Sequence, residues 1–214
     1  MKKNIAMRVA AFLFILTMIS TCAFATTFAK YTTSDSATDT ARVAKWGVTF
    51  TTTGYDVFNT NYNDTVISSE TTENVVAPGT TGSLVNFTIS GTPEVSLNVA
   101  FTADLQLGGW TVDSAYYCPL EITVGDNTYK AMNYDSAAAF EAAVEGAIAA
   151  YNKDYAAKTN LSTIGYAPVV SWSWLISGGV KQTDVKDTAL GDAAADGNAA
   201  TISLTVTCTV TQLD

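Results

Sequence analysis

Apolar and polar residues alternate with a period of two along most of this chain. Ala44, Trp46, Val48 and Phe50 are separated by Lys45, Gly47 and Thr49. Val85, Phe87 and Ile89 enclose Asn86 and Thr88. The longest run is Val95, Leu97, Val99, Phe101, Ala103 and Leu105. Cys118, Leu120, Ile122 and Val124 form another, and Val170, Trp172, Trp174 and Ile176 enclose Ser171 and Ser173. Ile202, Leu204, Val206, Cys208 and Val210 alternate with a ladder of threonines. Successive side chains of a strand point to opposite faces, so each run has one apolar and one polar face. Antiparallel strands need this pattern when one face is packed and the other is wet. Six such strands, with shorter ones expected near Val66 and Val75, predict an all-β fold of two packed antiparallel sheets.

One stretch changes period. Phe140, Val144, Ala147, Ile148, Tyr151 and Tyr155 recur at helical spacing, which predicts a helical insertion over about 135–158. Asp135 or Ser136 is placed to cap its start, and Lys158 suits the negative end of its dipole. The insertion is expected to cover a sheet edge or a barrel end. A weaker helical turn is expected from Asp187 to Ala195. Turns are marked by Pro78-Gly79, Gly91-Thr92-Pro93, Gly108-Gly109, Gly125-Asp126-Asn127, Gly178-Gly179 and Asp196-Gly197-Asn198. Residues 51–74 are polar and read as mostly loop.

The N-terminus follows different rules. Lys2, Lys3 and Arg8 precede a nearly continuous apolar run from Val9 to Ile19, and Ala23-Phe24-Ala25 and Thr27-Phe28-Ala29 are small-x-small sites. This is the layout of a secretory signal peptide over residues 1–29, with cleavage between Ala29 and Lys30 or after Ala25. The apolar core is short for the ~20 residues of a membrane span, so no stable membrane span is expected after cleavage. The localisation expected is secreted, in the extracellular matrix or at the cell surface. Removing residues 1–29 removes three positive charges and no negative ones, which takes the net charge from -9 to -12. Cys118 and Cys208 remain; an exported pair is a possible disulfide, and two buried thiols are the other reading.

Composition narrows the chemistry. The 214 residues carry a net charge of -9, which argues against a nucleic-acid partner. Histidine is absent, which removes the commonest general base, the commonest zinc ligand and the Ser-His-Asp arrangement. The Ser and Thr residues lack an activating partner, and neither a Gly-x-Ser-x-Gly elbow nor a phosphate-binding loop is present. No catalytic residue is assigned and no enzyme activity is expected. Glu141 and Glu145 lie one helical turn apart and read as a solvated helix face. Asp184, Asp187, Asp192 and Asp196 are a weak calcium candidate whose spacing fits no EF-hand loop; no other cofactor is expected. Trp172 and Trp174 read as core, and Trp110, after Gly108-Gly109, as a candidate loop contact to a glycan.

The segment FAKYTTSDSATDTARVAKWGVTF, Phe28 to Phe50, follows the apolar run directly, and APGTTGSLVNFTISG, Ala77 to Gly91, places a Pro-Gly turn before a strand. Both stretches resemble the TasA/camelysin family of Gram-positive bacteria, whose members carry a SipW-dependent type of signal peptide. The resemblance implies cleavage by a dedicated signal peptidase, with Lys30 as the first mature residue. It also implies a jelly-roll-like antiparallel β-sandwich over residues 42–214 that assembles into biofilm-matrix or surface fibres as a homo-oligomer. In that picture residues 30–41 are a mobile donor segment that pairs with a neighbouring subunit, and Tyr31, Ala37 and Ala41 are its pocket-filling side chains. Two other functions are implied or left open. One is a camelysin-like metal-dependent surface endopeptidase, and the other is a monomeric adhesin or carbohydrate-binding module.

Overall fold

The apolar run near the N-terminus is an α-helix, α1 (Ile5–Phe24), in a unit spanning Met1–Arg42. Among the described residues no helix is long and apolar enough to cross a membrane. The computed structural model describes residues 4–24, 40–53, 57–70, 72–84, 86–164, 167–176 and 182–214. Ala29, Lys30, Tyr31, Ala37, Val85 and the Gly178-Gly179 turn lie outside them; Ala41 is described and exposed.

The second unit, Val43–Asp214, holds the strands. In chain order they are β1 (Thr49–Thr53), β2 (Asn61–Tyr62), β3 (Val66–Ile67), β4 (Thr81–Leu84), β5 (Asn86–Ser90), β6 (Leu97–Gly108), β7 (Thr111–Val112), β8 (Ala115–Tyr116), β9 (Leu120–Val124) and β10 (Asn127–Lys130). Helix α2 (Ala137–Ala149) follows, then β11 (Lys153–Tyr155), β12 (Val170–Trp174), α3 (Asp184–Ala195) and β13 (Thr201–Gln212). One sheet has the order β10-β9-β12-β4 and another the order β11-β6-β13; β1-β5, β2-β3 and β7-β8 are two-stranded. Each of these pairings is antiparallel. Among the described residues the fold is mainly β, as the alternation predicts, with three α-helices.

Within Val43–Asp214 a single core joins both larger sheets with α2 and α3. Leu97, Val99, Phe101 and Leu105 of β6 pack with Leu120, Ile122 and Val124 of β9 and with Val170, Trp172 and Trp174 of β12. Phe140, Val144 and Ile148 of α2 complete it at helical spacing. Full burial of such a side chain contributes roughly 1.5–3 kcal/mol. Gly82 on β4 makes room for one of the deepest contacts: the Trp172 indole N–H donates to the Val57 carbonyl at 2.8 Å. A Cβ at residue 82 would collide with that carbonyl and with the indole ring.

Several boundaries differ from the sequence reading. The run Ala44 to Phe50 is not one strand: β1 starts at Thr49, Ala44 is exposed, and Trp46 and Phe50 are 39% and 43% exposed. Residues 45–47 instead dock on the 91–94 loop. The Lys45 N–H donates to Glu94 Oε2 and the Glu94 N–H to the Lys45 carbonyl, both at 2.9 Å. Ile176 lies past the end of β12 and is 69% exposed. The helical insertion is shorter than 135–158. Ser136 caps α2 by accepting the Ala139 N–H, and the helix stops at Ala149. Residues 153–155 leave the helical pattern because β11 pairs with β6, Lys153 opposite Val99 and Tyr155 opposite Leu97. Lys158 therefore serves no helix end; it has φ 65° and donates its N–H to the Pro93 carbonyl at 2.7 Å. The expected turn at 187–195 is a full helix, α3, capped by Thr183 and carrying Asp184 and Asp187 in its first turn. The polar stretch 51–74 contains the β2-β3 hairpin, and Val75 contributes only a bridge to Asn59.

Candidate functional site

The two edges of the β11-β6-β13 sheet are treated in opposite ways. In an antiparallel ladder alternate residues turn their backbone N–H and C=O toward one neighbour and then the other. Odd-numbered residues of β6 face away from β13, and most of that edge is engaged. Leu97 and Val99 meet β11, and the Phe101 N–H donates to Asn152 Oδ1 at 2.5 Å. The Leu105 N–H donates to Glu145 Oε1 at 2.9 Å, and the Leu107 N–H to Glu141 Oε1 at 2.7 Å. The two glutamates fit because four helical residues rise about 6 Å, close to two strand residues at about 6.6 Å. Glu141 and Glu145 are thus half-buried edge caps, not the solvated face the sequence suggested.

The other edge belongs to β13. Its twelve residues pair with β6 from Thr201 opposite Gly108 to Gln212 opposite Leu97. The register puts odd-numbered β13 residues toward β6, and the Leu213 N–H to the Ser96 carbonyl continues it. The backbone of Ile202, Leu204, Val206, Cys208, Val210 and Gln212 therefore faces outward, and among the described residues no strand pairs with it. Side chains follow the same parity. Thr201, Ser203, Thr205, Thr207, Thr209 and Thr211 are exposed, while Ile202 to Val210 on the even face are half-buried against the core. The strand contains no charged residue, proline or glycine. These are the devices that commonly block a sheet edge.

At the start of β13 lies a cleft of about 390 Å³ whose walls include Phe58, Trp110, Trp174, Asp187, Leu190 and Ile202. Asp187 is buried and fully engaged. The Tyr117 hydroxyl donates to Oδ1 at 2.6 Å and Gln182 Nε2 to Oδ2 at 2.8 Å. Burial, reinforced by Asp187, holds the Tyr117 hydroxyl above its ordinary range, so it is a donor here and not a base. Trp174 is buried, and among the described residues its indole N–H has no hydrogen-bond partner.

The other sequence candidates fall as follows. Trp110 is no glycan contact: it is 3% exposed, and its indole N–H donates to the Thr201 carbonyl at 2.7 Å. Trp172 and Trp174 are core residues. Cys118 and Cys208 are free thiols, so the possible disulfide is not made; Cys118 is buried and Cys208 half-buried opposite Phe101. Burial pushes the Cys118 thiol up to about 12 and the Cys208 thiol up to about 11, so neither is a reactive thiolate at neutral pH. The four aspartates of the calcium candidate are not brought together. Among the described residues no group of three or more His, Cys, Asp or Glu is placed to hold a metal ion. The Asp187–Tyr117–Gln182 network was missed; its only sequence signal was an acid amid the small residues of α3. Compared with protein-family models, curated proteins and solved structures, the chain matches none.

Proposed function

We propose that this is a secreted structural protein, a subunit of extracellular matrix or surface fibres joined by strand addition between copies. The observation that carries the reading is the open edge of β13, twelve residues long and free of charge. An extended segment laid along it would satisfy the outward N–H and C=O groups and cover the half-buried apolar face. The shared core of the two larger sheets, with α2 along one edge, supports reading the unit as a jelly-roll-like sandwich. The signal layout supports export through a dedicated signal peptidase, and the resemblance to the TasA/camelysin family supports assembly as a homo-oligomer.

In this reading the added strand is residues 30–41 of a neighbour, freed by cleavage before Lys30. Its sequence is polar, and Tyr31, Ala37 and Ala41 are the only side chains suited to pockets. Affinity then rests mainly on main-chain hydrogen bonds. Protein beginning at Lys30 should form filaments visible by electron microscopy at raised concentration, and protein beginning at Ala41 should not. Filaments from both, or from neither, would remove the donor role of residues 30–41.

A further inference from the structure

We infer that the free protein closes its open edge against a second copy, β13 pairing antiparallel with β13 across a two-fold axis. The inference stands on the edge alone and needs neither the leader nor residues 30–41. A donated strand and a second β13 exclude one another, so growth of a fibre by strand addition would require this pair to open.

Charge restricts where two copies can meet. Each chain carries a net charge of -9, so two copies repel over most of their surfaces. The strand from Thr201 to Gln212 carries no charge, so two such strands meet without placing like charges opposite one another. The strand is also already extended and held by β6, so little further ordering is needed.

The parity of the ladder fixes the register. Hydrogen-bonded pairs across the new interface must join even-numbered residues, whose backbones face outward. One register uses all six of them: Ile202 with Gln212 of the second copy, Leu204 with Val210, and Val206 with Cys208. The half-buried apolar face of one strand is then continued by that of the other. On the exposed face Ser203 meets Thr211, Thr205 meets Thr209, and Thr207 meets Thr207 on the axis. Hydroxyl pairs of this kind stabilise neighbouring strands. Shifting the register by two residues leaves Ile202 or Gln212 of each copy unpaired.

Thr207 is the test. Its partner position is non-hydrogen-bonded, where Cα atoms lie about 4.5 Å apart, within the range a disulfide spans. In the full chain held in mild detergent, with Cys22 and Cys208 replaced by Ser and Ala, Thr207→Cys should oxidise to a covalent dimer. Thr205→Cys and Thr209→Cys alone should do so at least about tenfold more slowly, because neither meets itself. In the same detergent, Thr207→Lys and Thr207→Glu should each weaken the dimer of the full chain by about tenfold or more in sedimentation, and mixing the two should restore it. An unchanged circular dichroism spectrum would show that the variants fold. Equal cross-linking at 205, 207 and 209, or sedimentation of the wild-type chain as a monomer at high concentration, would each overturn the proposal. None of these results bears on whether protein beginning at Lys30 forms filaments, so the two readings fail separately.

Discussion

The carboxylate of Glu145, on α2, accepts the backbone N–H of Leu105, on β6, at 2.9 Å. With Glu141 on Leu107 one helical turn away, it gives a strand edge what a neighbouring strand would otherwise supply. The protein thus engages one side of its three-stranded sheet with β11 and with side chains from a helix, while among the described residues no strand pairs with the other side, twelve residues long. This asymmetry makes β13 the candidate surface.

Replacing both glutamates by alanine should remove two acceptors from half-buried backbone N–H groups. Each lost acceptor costs about 1–3 kcal/mol, so urea denaturation should show a marked drop in midpoint. Glu141→Gln with Glu145→Gln keeps an acceptor oxygen at each position and should cost less. Equal loss in the alanine and glutamine variants would show that the acceptors do not matter and that packing of the helix does.

Gly82→Ala tests the core from the other side. The added methyl would meet the Val57 carbonyl and the Trp172 ring, both held in place by the indole N–H bond. Overpacking of a full core costs about 1–3 kcal/mol, and displacing the bond adds to that. The thermal midpoint should fall and the near-ultraviolet tryptophan signal should change. A variant with the wild-type midpoint and spectrum would contradict the packing described.

How far the sequence could be read depended on what each residue faces. β6, β9 and β12 were legible because their alternating side chains, such as Leu97, Val99 and Phe101, go fully into the core. Phe140, Val144 and Ile148 announced α2 for the same reason. Its ending was not legible, because Tyr151 and Tyr155 continue the apolar spacing although residues 153–155 pair with β6. The β4 strand carries Gly82 and Ser83, residues with little strand signature, and is defined by its partner β12. At the candidate site the threonine ladder of β13 was visible, yet an open edge is a fact about neighbours that no single strand records. Glu141 and Glu145 show the converse: acids at helical spacing look solvated until the strand beside them is known. Trp110 followed a glycine pair and looked like a surface contact, but its indole N–H bonds a carbonyl 91 positions along the chain.

The buried thiol of Cys118 should make the fold sensitive to alkali. Its ordinary value is 9.0, and burial raises it to about 12 in the folded protein. The folded state therefore keeps a proton that the unfolded chain releases. The contribution is complete below the unfolded value and is lost progressively as pH rises from about 9 toward 12. Cys118→Val removes the titrating group, so the gap in denaturation midpoint between variant and wild type should shift in the variant's favour over that interval. Parallel curves from pH 8 to 11 would exclude the effect.

The buried acid at the cleft supports a coupling measurement. Asp187 accepts one hydrogen bond on each oxygen, from Tyr117 at 2.6 Å and from Gln182 at 2.8 Å. Tyr117→Phe leaves Oδ1 without that donor, and leaving a buried acceptor unsatisfied costs about 1–3 kcal/mol. Asp187→Ala leaves the Tyr117 hydroxyl and the Gln182 amide without this acceptor and should cost at least as much. In the double variant both ends of the Tyr117–Asp187 bond are gone, so its loss should be smaller than the sum of the single losses by about 1 kcal/mol or more. Urea denaturation of the four proteins measures the difference directly. Additive losses would mean that the hydroxyl and the carboxylate contribute independently, and that this bond does not anchor α3 to the segment that follows β8.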